Sequence, residues 1–132
     1  MVPLAFNNLD AESMLYFYNM SIARKERERQ ERIFKALADY RRREMLDLLK
    51  DAPLSTGDIC THFREIDRCT VMQHLGVLEK ADLIIAKRDG RHRWNYINPL
   101  PIKEIYDRWI SHYAVHAINV LAHMKRDLEG GN

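Results

Sequence analysis

The sequence is short of the residues from which most catalytic and cofactor sites are built. Its 132 residues include two cysteines and five glycines. Cys60 and Cys69 make neither a disulfide framework nor a zinc-ligand pattern. The glycines are scattered, and none gathers into a phosphate-cradling loop. A nucleophile elbow and paired carboxylates in a pocket-forming fold are also missing, so an enzyme is not expected, and neither is a cofactor. No apolar run approaches the ~20 residues needed to span a bilayer. Residues 1–8 lack the basic start and apolar stretch of a secretory signal, so the cytoplasm is the expected compartment. There is no internal repeat, low-complexity tract or Gly/Ser linker. The length suits one domain with an appended segment and is enough to bury a core.

Net charge is scarce too. Twenty-one Lys and Arg against nineteen Asp and Glu leave +2, too little to imply nucleic acid. What the chain has instead is local clustering. Lys87, Arg88, Arg91, His92 and Arg93 crowd one turn, and Arg41, Arg42 and Arg43 form a second cluster. Such clusters steer phosphate better than a diffuse excess.

Along the chain, Asp10 is an N-cap opening a helix with Leu15, Tyr18 and Ile22 at helical spacing. Residues 24–32 are almost wholly charged, with Arg24–Glu28, Arg27–Glu31 and Glu28–Arg32 at i,i+4, worth roughly 0.2–0.5 kcal/mol each. Their alternating signs suit a solvated helix face better than a DNA-facing arm. Ile33, Phe34 and Leu37 continue the stripe to Asp39, which caps a second helix carrying Met45, Leu46, Leu48 and Leu49. Pro53 ends that helix by disfavouring helix at the residue before it. Ser55 or Thr56 caps a short third helix. A short connection then leads to Asp67, the cap of a fourth helix with Val71, Leu75 and Leu78 on one side. Cys60 reads as a buried small residue.

The period then changes. Residues 83–88 and 91–97 read as strands joined by Asp89-Gly90, a hairpin signal that predicts a type I′ turn with positive φ at both central residues. After Asn98-Pro99 a last helix is expected over 101–128, with Pro101 in its first turn. The order is helices, helix-turn-helix, hairpin, helix. This predicts a mainly α winged helix-turn-helix with a long C-terminal dimerisation helix. The expected organisation is an N-terminal helical extension, 1–30, followed by a DNA-binding and dimerisation domain, 31–132.

Particular residues carry a family resemblance. The run Phe34-Lys35-Ala36-Leu37-Ala38-Asp39, then Arg42-Arg43 and Leu46-Asp47-Leu48-Leu49, resembles the opening of ArsR/SmtB-type regulators. The run from Thr70 to Ile84, TVMQHLGVLEKADLI, is similar to that family's recognition helix entering its first wing strand. Arg88-Asp89-Gly90-Arg91, with Trp94 and Tyr96, resembles its wing. The resemblance spans about 33–128. The chain departs from the family at Tyr40-Arg41, where Pro-Thr is frequent, and at Asp82, where Gly is usual. Asp tolerates the left-handed conformation better than most residues, so the helix end is expected to survive.

The resemblance implies a homodimeric transcriptional repressor that binds an inverted-repeat operator through a recognition helix (67–81) and a wing (83–97). Arg68, Cys69, Met72 and Gln73 are expected to face outward near the helix N-terminus, where base edges are read. Gln73 suits adenine and Arg68 suits guanine or phosphate. Thr70 suits a thymine methyl or phosphate. His74 is either a phosphate contact or a packed support between helices. Arg88, Arg91 and Arg93 are expected on the minor groove or backbone, and Arg42 on phosphate. The dimer surface is assigned to Ile105, Trp109, Tyr113, Val120 and Leu121 on the last helix, enlarged by Leu15, Tyr18 and Ile22.

Many members of the family sense metal. Its thiolate site has no counterpart in residues 54–60. Its C-terminal-helix site, counted from Asp107, falls here on Trp109, Val120 and His123, so two central ligands are apolar and no metal is expected. His112, His116 and His123 are the remaining weak candidates. Cys69, in the first turn of the recognition helix where the thiolate is favoured, is a possible redox switch, although an incidental small residue is the plainer reading. The rival class is a winged-helix dimer that docks another protein through its wing or extension. The basic face of the recognition helix and the arginine wing speak against it.

Overall fold

Residues 8–131 are described by a computed structural model of the chain; the reading of residues 1–7 as lacking a signal lies outside them. Four side-chain caps start the first four helices where the sequence places them. Asp10 accepts from the Ser13 N–H at 2.7 Å and opens α1 (Ala11–Leu37). Asp39 accepts from the Arg41 N–H and opens α2 (Tyr40–Leu49). Ser55 opens α3 (Thr56–His62), and Asp67 opens α4 (Arg68–Lys80). Each cap satisfies an amide that has no partner inside its helix.

The α1 helix crosses residues 30 and 31 without a break. Of the three i,i+4 pairs expected in its charged stretch, Arg24–Glu28 forms, at 3.0 Å. Glu28 is thereby occupied. Arg29 turns instead to Glu104 at 2.5 Å, and Glu26 takes Arg108 at 3.1 Å. These two pairs tie the middle of α1 to the start of the C-terminal helices.

The end of α4 bears out the expectation for Asp82. Its φ is +58°, and the Leu83 N–H donates to the Leu78 carbonyl while that of Asp82 donates to Glu79. This is the paired-bond helix end that usually requires glycine.

Strands β2 (Ile84–Asp89) and β3 (His92–Ile97) form the wing hairpin. Its turn departs from expectation. Asp89 pairs with His92, so the central residues are Gly90 and Arg91, and Gly90 alone of these has positive φ. That is the pattern of a II′ turn, which needs glycine only at its first central position. A two-residue strand β1 (Leu54–Ser55), too short to leave a periodic signal, pairs with β3, giving the order β1-β3-β2.

The last helix runs without a gap from Leu100 to Gly130, with a change of hydrogen bonding inside it. It comprises α5 (Leu100–Ile105), a π-helical turn over Tyr106–Ile110, and α6 (Ser111–Gly130). One core joins Ile33 and Ala36 of α1, Met45 and Leu49 of α2, Ile59 of α3, the inner side of α4, and Leu83 and Ile84 of the wing. Ile105 belongs to this core at 3% exposure. Its assignment to the dimer surface is therefore corrected: α5 packs on α1, and its last residue points into the protomer. Cys60 is only half-buried.

Candidate nucleic-acid interface

Helix α4 is held from within and open on the outside. Val71, Leu75 and Leu78 are wholly buried, which fixes the rotation of the helix about its axis. The same rotation exposes Arg68, Cys69, Met72 and Gln73. Phe63 plugs the turn between α3 and α4, with Ile66 half-buried beside it. The Asp67 carboxylate sits below its usual range, chiefly through the Thr70 N–H at 2.7 Å, with the Thr70 hydroxyl adding to it. Thr70 is thus half-buried and committed to the cap.

The expected phosphate residue Arg42 is used differently. Its Nε donates to the Ala36 carbonyl at 2.7 Å and one terminal nitrogen donates to that of Lys35 at 2.8 Å. Arg43 does the same for Leu37 at 2.6 Å. Together they cap the C-terminus of α1, where carbonyls lack helical partners and the helix dipole favours cations. The other terminal nitrogen of Arg42 lies 3.3 Å from His74 Nδ1. His74 is half-buried, and of its two expected roles the geometry suits the packed support. Burial, reinforced by Arg42 and Arg41 and opposed by Asp39, holds its pKa below the ordinary 6.5. For Asp39, burial acts upward, but the Arg41 and Arg42 amides and the charges of His74 and Arg42 outweigh it.

The wing stands beside α4. Strand register puts Arg88 directly across from Arg93, and alternation puts both on the face shared with buried Ile84 and Asn95. Arg93 bridges to α4: one nitrogen is 2.6 Å from Glu79 Oε2 and another 3.7 Å from Met72 Sδ. Arg88 and Arg91 are exposed towards the tip. The hairpin base is anchored by Asn95, fully buried, whose Nδ2 donates to the Leu54 carbonyl and to Thr56 Oγ1, both at 3.2 Å.

Glu79 and Asn95 are positioning residues that sequence reasoning missed. Asn95 had one legible sign, a polar residue between Trp94 and Tyr96 in a strand. Glu79 had none, since its partner is fourteen residues away. The arrangement presents Arg68 and Gln73 at a helix N-terminus and Arg88 and Arg91 on a ribbon beside it. Such an arrangement suits a groove and its flanking phosphates.

The remaining expected residues lie elsewhere. Trp109, Tyr113, Val120 and Leu121 are exposed on the π-turn and α6, as are Leu15, Tyr18 and Ile22 on α1. His112, His116 and His123 are exposed on α6, with His123 Nδ1 3.3 Å from Arg126. Among the described residues no three ligating side chains meet in a metal-holding group, and no helix is long and apolar enough to cross a membrane.

A helix-turn-helix domain family matches residues 32–85. The transcriptional repressor SdpR of Bacillus subtilis (strain 168) is 35% identical over 72 residues, which cover 54% of this chain and 79% of that protein. The arsenical resistance operon repressor of Staphylococcus aureus is 32% identical over 73 residues, covering 55% of this chain and 69% of the relative. Among solved structures, a crystal structure of an ArsR family transcriptional regulator superposes with a TM-score of 0.61 at 28% identity. That match covers 66% of this chain and 88% of the other.

Proposed function

The chain belongs to the ArsR family of helix-turn-helix transcriptional regulators, and from that premise we propose that it is a homodimeric, cytoplasmic repressor reading an inverted-repeat operator. The observation that carries this is the outer face of α4. The buried side of the helix leaves Arg68 and Gln73 exposed at its N-terminal end, beside a wing with two exposed arginines.

Each part has a distinct task. Gln73 pairs with an adenine edge and Arg68 with guanine or phosphate, a good bidentate pair discriminating by ~1–3 kcal/mol. Arg88 and Arg91 contact the backbone or minor groove. Arg93 holds the ribbon against α4 through Glu79. One such unit reads few bases. Two copies on half-sites about 34–36 Å apart, or a multiple of that, read enough for a useful operator. The exposed apolar side chains of α1 and α6 supply the surface that joins them.

The test is a fluorescence-anisotropy titration against a randomised duplex pool at several salt concentrations, followed by sequencing of the bound fraction. The expected result is an enriched inverted repeat and a steep salt dependence, each neutralised phosphate adding about −0.9 to the log–log slope. Weak binding without an enriched motif would refute the DNA reading and favour a protein-docking dimer.

A further inference from the structure

Several half-buried arginines of the protomer have each found an acceptor. Arg42 and Arg43 cap α1, Arg93 reaches Glu79, and Arg29 reaches Glu104. Arg41 has not. Its side chain is 29% exposed, yet among the described residues its guanidinium makes no hydrogen bond. Of the three guanidinium nitrogens only Nε is buried. The Glu65 carboxylate stands 3.9 Å from that Nε, beyond hydrogen-bond range. On another side the Arg41 Cζ lies 5.1 Å over the centroid of the Tyr40 ring, within reach of a cation–π contact. Asp39, the next acid, is spent on the amides of Arg41 and Arg42. The guanidinium is therefore oriented by two neighbours while its terminal donors are left unclaimed.

The place of Arg41 beside α4 says what would claim them. At about 100° per residue, Met72 and Glu79 fall roughly 80° to one side of the buried stripe of Val71, Leu75 and Leu78. His74 falls roughly 70° to the other side, and Gln73 faces outward between the two flanks. Arg93 fixes the wing to the flank of Met72 and Glu79. On the opposite flank Arg42 meets His74, and the charge of Arg41 acts on the same imidazole. Glu65 ties Arg41 to the turn that leads into α4. A helix seated in a major groove has a sugar–phosphate backbone along each side. The wing serves one of them. On the other, Arg42 is already committed to the carbonyls of α1.

We propose that Arg41 is the phosphate contact on the far side of α4 from the wing, its terminal nitrogens donating to one phosphodiester of the operator while Tyr40 and Glu65 orient the group. The inference rests on the DNA reading and deepens it, giving each protomer a grip on both backbones that border its groove. A planar, permanently charged fork suits a phosphate. Tyr40-Arg41 is also where the chain departs from the frequent Pro-Thr, so the contact belongs to this chain.

The test is competition anisotropy at several salt concentrations, on a duplex recovered from the randomised pool and on a scrambled one. Wild type is compared with Arg41→Gln, and circular dichroism reports helix content. Arg41→Gln is expected to weaken both duplexes by a similar factor, roughly tenfold, and to lower the log–log salt slope by about 1. A variant that keeps the wild-type slope would overturn the proposal. So would one that loses affinity for the recovered duplex alone, because a phosphate contact carries no sequence information. A wild type without salt-dependent binding would overturn the DNA reading itself. Neutral methylphosphonates placed one at a time along the recovered duplex give a readout on the wild-type protein, which holds even if Arg41→Gln loses helix. Sensitive positions are expected on both backbones of each half-site's groove, those silenced by Arg91→Ala on one side only. Sensitivity confined to that side, or a far-side position that stays sensitive in folded Arg41→Gln, would refute the contact.

Discussion

Asp39, Arg42 and His74 form the junction where α1 ends, α2 begins and α4 packs across both. Its protonation follows from position. His74 lies below its ordinary pKa because burial disfavours the imidazolium, so the unfolded chain takes up that proton first as pH falls. Its contribution to stability is complete above about 6.5 and is lost as pH falls through the lower folded value. Asp39, also lowered, adds a loss of the same sign further into acid. Urea midpoints are therefore expected to be lower at pH 5 than at pH 7.5, with a smaller difference in His74→Gln; a midpoint that rises in acid would contradict this. At Asp82 the left-handed backbone costs a side chain more than glycine. Asp82→Gly is expected to stabilise by up to ~1 kcal/mol in urea unfolding, and a loss of stability would show that the carboxylate matters there. The caps Asp10, Asp39, Ser55 and Asp67 were legible because each acts within three residues. The tasks of Arg42 and Arg93 were not. Arg42 folds back on the preceding helix and reaches His74 thirty-two residues on, and Arg93 meets a residue of another element.

Among the elements, the wing separates positioning from contact. If Arg93 acts through Glu79, then Glu79→Gln and Arg93→Ala both loosen the ribbon and weaken operator binding, by roughly tenfold, and the double variant is little worse than either. If Arg93 instead binds phosphate directly, Glu79→Gln would free it and strengthen binding. Anisotropy on a fixed operator distinguishes the two by sign. Among the described residues Arg88 and Arg91 have no such tie, so Arg88→Ala and Arg91→Ala should each lower the salt slope by about 1. The buried face of α4 was readable in the stripe Val71, Leu75 and Leu78, and the hairpin in Asp89-Gly90. The type of turn was not, because pairing of Asp89 with His92 moved its centre by one residue. Strand β1 and the π-turn also escaped the sequence. One is two residues long, and the other is a change of hydrogen bonding within an unbroken apolar pattern.

For the whole molecule, the helix-turn-helix body and its wing leave a specific outer surface, while α1 and α6 leave an apolar one. The first was legible because recognition-helix and wing residues are consecutive in the chain. The second was legible as a stripe but not as a partition. Ile105 continues the pattern of Trp109 and Tyr113 yet lies in the protomer core, since α5 packs inward before the π-turn releases α6. The central claim is that the α4 face reads sequence. The most direct test is the ratio of affinities for an enriched inverted repeat over a scrambled duplex, measured by competition anisotropy for wild type and for Arg68→Ala/Gln73→Ala. The account predicts a wild-type ratio on the order of 10³ or more. In the variant the ratio should fall by roughly 10- to 100-fold, mostly through lost affinity for the specific duplex. A wild-type ratio near one, or a variant that keeps the full ratio, would contradict it.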